Sequence, residues 1–256
     1  MLVVISPAKR LDWAERTVET TEPAWQSDAL RLAKTARNLT LGQLKGLMNL
    51  SDDLARLNRE RFQSFVAEPD SAATRPAMLA FAGDTYQGLD AQSLSAEDVA
   101  YADDHLRILS GLYGLLRPRD AIQPYRLEMG CRLKTRRGGT LYQYWKDDIA
   151  KALNAQAGQV GARFVLNCAS QEYFTAADRP ALRPSVLTPK FLEDKNGTPK
   201  MVSFFAKRAR GAMARWVVQN RVVDPGALAD FDADGYRYSK ALSSENAPTF
   251  VRPYPS

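Results

Sequence analysis

The chain has 256 residues, 45% of them hydrophobic and 25% charged, with a formal net charge of +6. That balance belongs to a globular protein able to bury a core without crosslinks or metals, and it excludes a disordered or fibrous chain. Two distant cysteines, Cys131 and Cys168, and a single histidine, His105, argue against a disulfide framework. They are also poor supply for a zinc, iron or haem site or for a histidine-based triad, so no metal is expected.

The opening apolar run, Met1 to Ile5, reads as a buried strand. It is too short for a signal peptide's apolar core, and no later run could cross a bilayer, so the expected setting is cytoplasmic and off the membrane. Helices are predicted over 26–38, over 41–49 behind a Thr40…Gln43 capping box, and over 52–65 with Ser51 as N-cap. Residues 77–81 read as a strand entering a tight loop, Gly83 to Gly88. A Ser95…Asp98 capping box opens a helix predicted to continue to Ser110. Further on come a helix over 141–156, a strand over 163–166, and a hairpin of 186–193 with 200–205 across Lys195-Asn196-Gly197. A helix over 206–220 and weak strands at 236–238 and 249–252 follow. Strands and helices do not alternate regularly. The expectation is an α+β fold: one compact mixed α/β unit spanning 1–256 rather than a doubly wound sheet.

The charge is unevenly spread. Residues 101–221 carry 21 Lys and Arg against 10 Asp and Glu, whereas residues 1–100 carry 11 against 14. Arg132, Lys134, Arg136 and Arg137 form one cluster. Lys195 to Arg221 holds seven cations and no acid. At helical period Lys207, Arg208 and Arg215 share one face of the 206–220 helix, with Arg210 at its margin. A solvated helix face accounts for any one such run, but cations lacking acids usually await an anion, and a phosphate backbone is the commonest.

Two local patterns carry more specific chemistry. Leu106 to Pro118, with Gly111-Leu-Tyr-Gly114, looks like a helix-hairpin-helix DNA-binding element at about 95–120, whose hairpin N–H groups would meet phosphate oxygens. A helix C-cap followed by a turn explains the same glycines. The second pattern is a scatter of reactive side chains on loops: Lys9, Asp84, Tyr86, Arg126, Glu128, Asn167, Ser170 and Glu172, with Lys207. A lysine nucleophile at Lys9 with Asp84 or Glu128 as acid and base would suit Schiff-base chemistry on nucleic acid or a nucleobase. Surface ion pairs and loop hydrogen bonds are the simpler reading of the same residues, and the sequence alone favours it. No Walker A or Gly-x-Gly-x-x-Gly fingerprint occurs, and no cofactor is expected.

The chain resembles the bacterial peroxide-stress YaaA family. The resemblance rests on Ile5-Ser-Pro-Ala-Lys9, Phe81-Ala-Gly-Asp-Thr-Tyr-Gln-Gly88, His105 to Pro118 and Gln123-Pro-Tyr-Arg-Leu-Glu-Met-Gly130. Leu141-Tyr-Gln-Tyr-Trp145, Asn167-Cys-Ala-Ser-Gln-Glu-Tyr-Phe174 and Ser203 to Gly211 complete the ordered set. It implies a compact α+β fold with a positively charged cleft and a helix-hairpin-helix, DNA binding with little sequence preference, and a role in limiting iron-dependent oxidative damage. It carries cleft positions onto Lys9, Asp84, Tyr86, Arg126, Glu128, Asn167 and Lys207, and hairpin roles onto Gly111 and Gly114. Ser6, Tyr125, Ser170 and Glu172 are grouped with the cleft from the same segments. Phosphate contacts are expected from Arg126, Arg132, Lys134, Arg136, Arg137, Lys207, Arg208, Arg210 and Arg215. The tail 239–256, with Lys240, departs from the family pattern.

Overall fold

The computed structural model describes residues 1–255. Its centre is a sheet of five strands: β1 (Leu2–Ile5), β2 (Leu106–Ser110), β3 (Gly114–Leu116), β4 (Phe164–Cys168) and β5 (Ser185–Leu187). Their spatial order is β3-β2-β1-β4-β5. β1 runs parallel to both β2 and β4, β4 runs parallel to β5, and only the β2–β3 hairpin is antiparallel. The fold is mixed α/β, as the composition of elements foretells. Its main sheet is more parallel than the irregular alternation of predicted elements implied. Every residue of β1 and β2 is buried, as strands covered on both faces require.

Among the described residues the α-helices of six residues or more are α1 (Gln26–Arg37), α2 (Leu41–Met48), α3 (Asp52–Ser64), α4 (Asp84–Leu89), α5 (Ala96–His105), α6 (Asp148–Gln159) and α7 (Ser203–Gln219). The predicted caps form. The Thr40 hydroxyl accepts from Gln43 N–H at 3.2 Å while the Gln43 side chain accepts from Thr40 N–H, and the Ser51 and Ser95 hydroxyls accept from the N–H groups of Leu54 and Asp98. A smaller sheet, β6 (Lys190–Lys195), β7 (Thr198–Lys200), β8 (Arg237–Tyr238) and β9 (Thr249–Pro253), has the order β7-β6-β9-β8. The divergent tail thus supplies an inner strand of that sheet, with Phe250 buried against Phe191 and Phe231.

Several elements differ from expectation. The helix from Ser95 stops at His105, and residues 106–116 form a buried β-hairpin, not half of a helix-hairpin-helix. Leu106-Arg-Ile-Leu is an apolar run that suits a buried strand as well as a helix, and pairing with β1 decides it. Gly114, at φ 69°, lies against Trp25 and Trp145, and the Trp145 indole donates to Gly111 O at 3.1 Å. Both glycines are buried and unable to meet a phosphate. Two helices joined by a short turn do occur, but at 41–64, where Asn49 adopts φ 49° between α2 and α3.

Residues 77–80 are a helical turn rather than a strand, and the predicted loop at 83–88 is mostly α4. The helix predicted over 141–156 is broken at Lys146, φ 45°, before α6 begins. The predicted second hairpin arm at 200–205 is only the short β7, and by Ser203 the chain has entered α7.

α7 packs along the sheet and crosses α4 unusually closely. A Cβ built on Gly211 would stand 1.8 Å from Thr85 O, and one on Gly88 would stand 2.0 Å from Arg208 O. The two backbones touch because neither residue has a side chain. Among the described residues no helix is long and apolar enough to cross a membrane.

Candidate functional site

β1 and β4 are adjacent and parallel, yet the chain leaves β1 toward β2 and leaves β4 toward β5 on the opposite side. Such a divergence opens a crevice beyond the carboxyl ends of the two strands, where sheets of this kind commonly bind ligands. A cleft of about 360 Å³ lies there. Its floor begins at Ser6 after β1 and at Cys168 and Ser170 at the end of β4; the Ser6 hydroxyl accepts from Ser170 N–H at 2.8 Å, tying the strand ends together. The Tyr86 hydroxyl donates to Ser6 O at 3.1 Å, which fixes α4 over the same point.

Charged groups enter from four segments. Lys9 follows β1, Asp84 opens α4, Arg126 and Glu128 come from the extended 123–130 segment, and Lys207 and Arg210 come from α7; Glu172 completes the rim. Arg126 donates to Glu128 Oε1 through Nε at 3.0 Å, and the Lys9 ammonium lies 3.5 Å from the same oxygen. The Lys9 side chain is 66% exposed, so nothing in its surroundings desolvates the amine as Schiff-base catalysis requires. Glu172 Oε1 accepts from Gly130 N–H at 2.9 Å and has no cation partner among the described residues. The Asp84 carboxylate has neither an ion-pair nor a hydrogen-bond partner among them.

Lys207 and Arg210 stand apart from the other cations. Neither has a carboxylate partner among the described residues. Arg210 Nε is fully enclosed with no acceptor among the described residues, and burial pulls the guanidinium pKa down. A buried donor without an acceptor costs about 1–3 kcal/mol, more when charged, so Arg210 carries a hydrogen-bonding capacity that no acceptor among the described residues meets. Burial pushes the Cys168 thiol up to about 12 and the Tyr86 and Tyr173 hydroxyls well above their ordinary range. These groups stay protonated and supply no negative charge to the cleft.

The structure therefore gathers Ser6, Lys9, Asp84, Tyr86, Tyr125, Arg126, Glu128, Ser170, Glu172, Lys207 and Arg210 around one cleft. With four cations against three carboxylates its charge is mixed, with a surplus of one positive. Asn167 is not among the lining residues. It is buried, with its side-chain oxygen accepting from Ala169 N–H and its amide donating to Thr188, and so shapes the turn after β4. Tyr125 is held from below by Ser110, 2.6 Å between hydroxyls. Sequence reading missed Cys168 and Tyr173 as lining residues. Both lie in the motif containing Ser170, and the period-two geometry of a strand end could have pointed to Cys168.

The expected phosphate-binding surface is only partly assembled. Arg137 pairs with Asp28 at 3.2 Å and Arg208 with Asp234 at 3.2 Å. Arg215 lies 3.7 Å from Asp90 and donates to the carbonyls of Leu89 and Asp90 at the end of α4. With Arg126 held by Glu128, four of the nine nominated cations serve internal carboxylates. Arg132, Lys134 and Arg136 are exposed, lie outside the cleft, and have no carboxylate partner among the described residues. Among those residues no group of three or more His, Cys, Asp or Glu side chains gathers as metal ligands.

Fold and site together define a class: a mixed α/β protein with a charged cleft at the carboxyl ends of its parallel strands. The particular lineage follows from comparison with known proteins. The sequence profile of the peroxide stress protein YaaA matches residues 1–242, and the chain belongs to that family. It is 67% identical to a UPF0246 protein of Roseobacter denitrificans over 258 aligned positions, covering 100% of each chain. It is also 67% identical to one of Ruegeria pomeroyi, covering 99% of each, and 52% identical to one of Phenylobacterium zucineum, covering 100% of this chain and 96% of the relative.

Proposed function

We propose that this peroxide-stress family member binds DNA with little sequence preference and so limits iron-dependent damage to it. The observation that carries the reading is the exposed trio Arg132, Lys134 and Arg136, which has no carboxylate partner among the described residues; Lys207 and Arg210 at the cleft add two further cations without one. Phosphate contacts position a protein without reading bases, which accounts for weak sequence preference. Ferrous ions condense on a phosphate backbone like other counterions, and protein cations that neutralise phosphates release them. Covering the backbone therefore removes iron from the place where peroxide would turn it into a radical source.

Binding measured by fluorescence anisotropy across a salt series tests this. With five unpaired cations available, the slope of log K against log salt should be no steeper than about −4.5. Replacing Arg132, Lys134 and Arg136 together by alanine should flatten it by up to about 3. Binding indifferent to salt, or a slope unmoved by the triple substitution, refutes the reading.

A further inference from the structure

We propose that the cleft takes a single unstacked nucleotide, its phosphate on Arg210 and Lys207 and its base edge toward Asp84 and Glu172. The inference rests on the nucleic-acid reading but names a ligand that reading does not require. At about 360 Å³ the cleft lies at the small end of the about 300–1,000 Å³ usual for small-molecule sites. A stacked duplex cannot enter it, whereas one nucleotide can.

The charges inside are of two kinds. Arg210 and Lys207, one helical turn apart on α7, present N–H donors that no protein acceptor satisfies. A fork of guanidinium donors beside an ammonium matches a terminal phosphate, which carries more charge than an internal diester. Asp84 and Glu172 are the reverse: carboxylates with no cation partner among the described residues, and with acceptor oxygens left over. Those oxygens call for N–H donors, which the amino group on a base edge provides. Tyr86, Tyr173 and Leu127 add apolar surface to the same lining. A ligand with phosphate at one end and donors at the other satisfies both at once, and an isolated phosphate satisfies only one.

A free nucleotide and the phosphate-bearing end of a DNA strand share this chemistry, and the test separates them. Isothermal titration of the full chain with adenosine 5′-monophosphate should give saturable 1:1 binding. Adenosine, ribose 5-phosphate and inorganic phosphate should each bind at least about tenfold more weakly, since each lacks one of the two ends. Arg210→Gln should weaken the nucleotide at least about tenfold, and Arg210→Lys, which keeps the charge but not the fork, less. Thermal melting of both variants checks that they fold.

A 5′-phosphorylated single strand displaced by the nucleotide identifies the strand end as source; failure of that strand to bind identifies the free nucleotide. Adenosine or ribose 5-phosphate binding as tightly as the monophosphate, or Arg210→Gln binding it unchanged, overturns the proposal. A sealed dumbbell duplex, which has no ends, reports the backbone reading separately. Loss of dumbbell binding with nucleotide binding intact would remove that reading alone.

Discussion

Replacing Gly211 by alanine should destabilise the protein, although helix propensity alone predicts the opposite. Gly211 lies in the middle of α7, and alanine is favoured over glycine there by about 1 kcal/mol. Against that, the new Cβ would stand 1.8 Å from Thr85 O, 2.7 Å from Thr85 C and 2.8 Å from Leu89 N. An ordinary carbon–oxygen contact is about 3.4 Å, so α4 and α7 must part by about 1.5 Å. The atoms in the way are backbone and cannot rotate aside. Overpacking of this kind costs about 3 kcal/mol at the upper end of its usual range, which leaves a net loss of about 2 kcal/mol and lowers Tm by about 4–8 °C.

Gly46 is the internal control. It is exposed in α2 with nothing within 4 Å of its would-be Cβ, so Gly46→Ala should gain about 0.4–1 kcal/mol. Urea unfolding of both variants decides the matter. Gly211→Ala as stable as wild type or more so would refute the claim that a backbone contact sets the helix spacing. The same separation moves Asp84 and Tyr86 away from Lys207 and Arg210, so cleft ligands should bind the variant more weakly even where it is fully folded.

Three further outcomes follow from the same coordinates. Burial pushes both thiols up to about 12, so at pH 7.5 neither Cys131 nor Cys168 should react with peroxide or an alkylating agent until urea is added. Rapid native labelling at either position, read by mass spectrometry, contradicts this. Burial depresses the pKa of His105, which hydrogen-bonds through Nδ1 to Met1 O at 3.0 Å and stacks on Tyr101. The unfolded chain therefore takes up the proton first, and stability falls as pH drops through about 6.5; His105→Gln should lose less in urea midpoint between pH 7.5 and 5.5 than wild type. Finally, Arg215→Ala should cost about 1–2 kcal/mol, because its guanidinium satisfies the last carbonyls of α4, yet leave the salt slope of DNA binding unchanged. A flattened slope in that variant would return Arg215 to the DNA-facing set.

What the sequence disclosed and what it hid divide along the range of the interactions. Thr40, Ser51 and Ser95 announce their helices because a cap reaches only three residues ahead. Glycine is ambiguous at the same short range: Gly88 reads as the end of a loop and Gly211 as a weak point in a helix, whereas both mark one backbone contact between segments more than a hundred residues apart. The hairpin at 106–116 was misread for a related reason, since only β1 distinguishes its apolar run from a helix. The cleft was more legible. Lys9, Asp84, Ser170 and Glu172 follow strand ends or open short helices in loops marked by glycine or proline, and such positions face outward whatever the topology.

Charge was the least legible property, because a count cannot tell a paired cation from a free one. The central surplus is drawn down by Asp28, Asp90 and Asp98 of the acidic first hundred residues, which hold Arg137, Arg215 and Arg221. Arg210 behaves in the opposite way: at helical period it falls at the edge of a solvated face, yet its enclosed Nε lacks an acceptor among the described residues. The proposed binding therefore depends less on net charge than on the few cations that folding leaves unanswered.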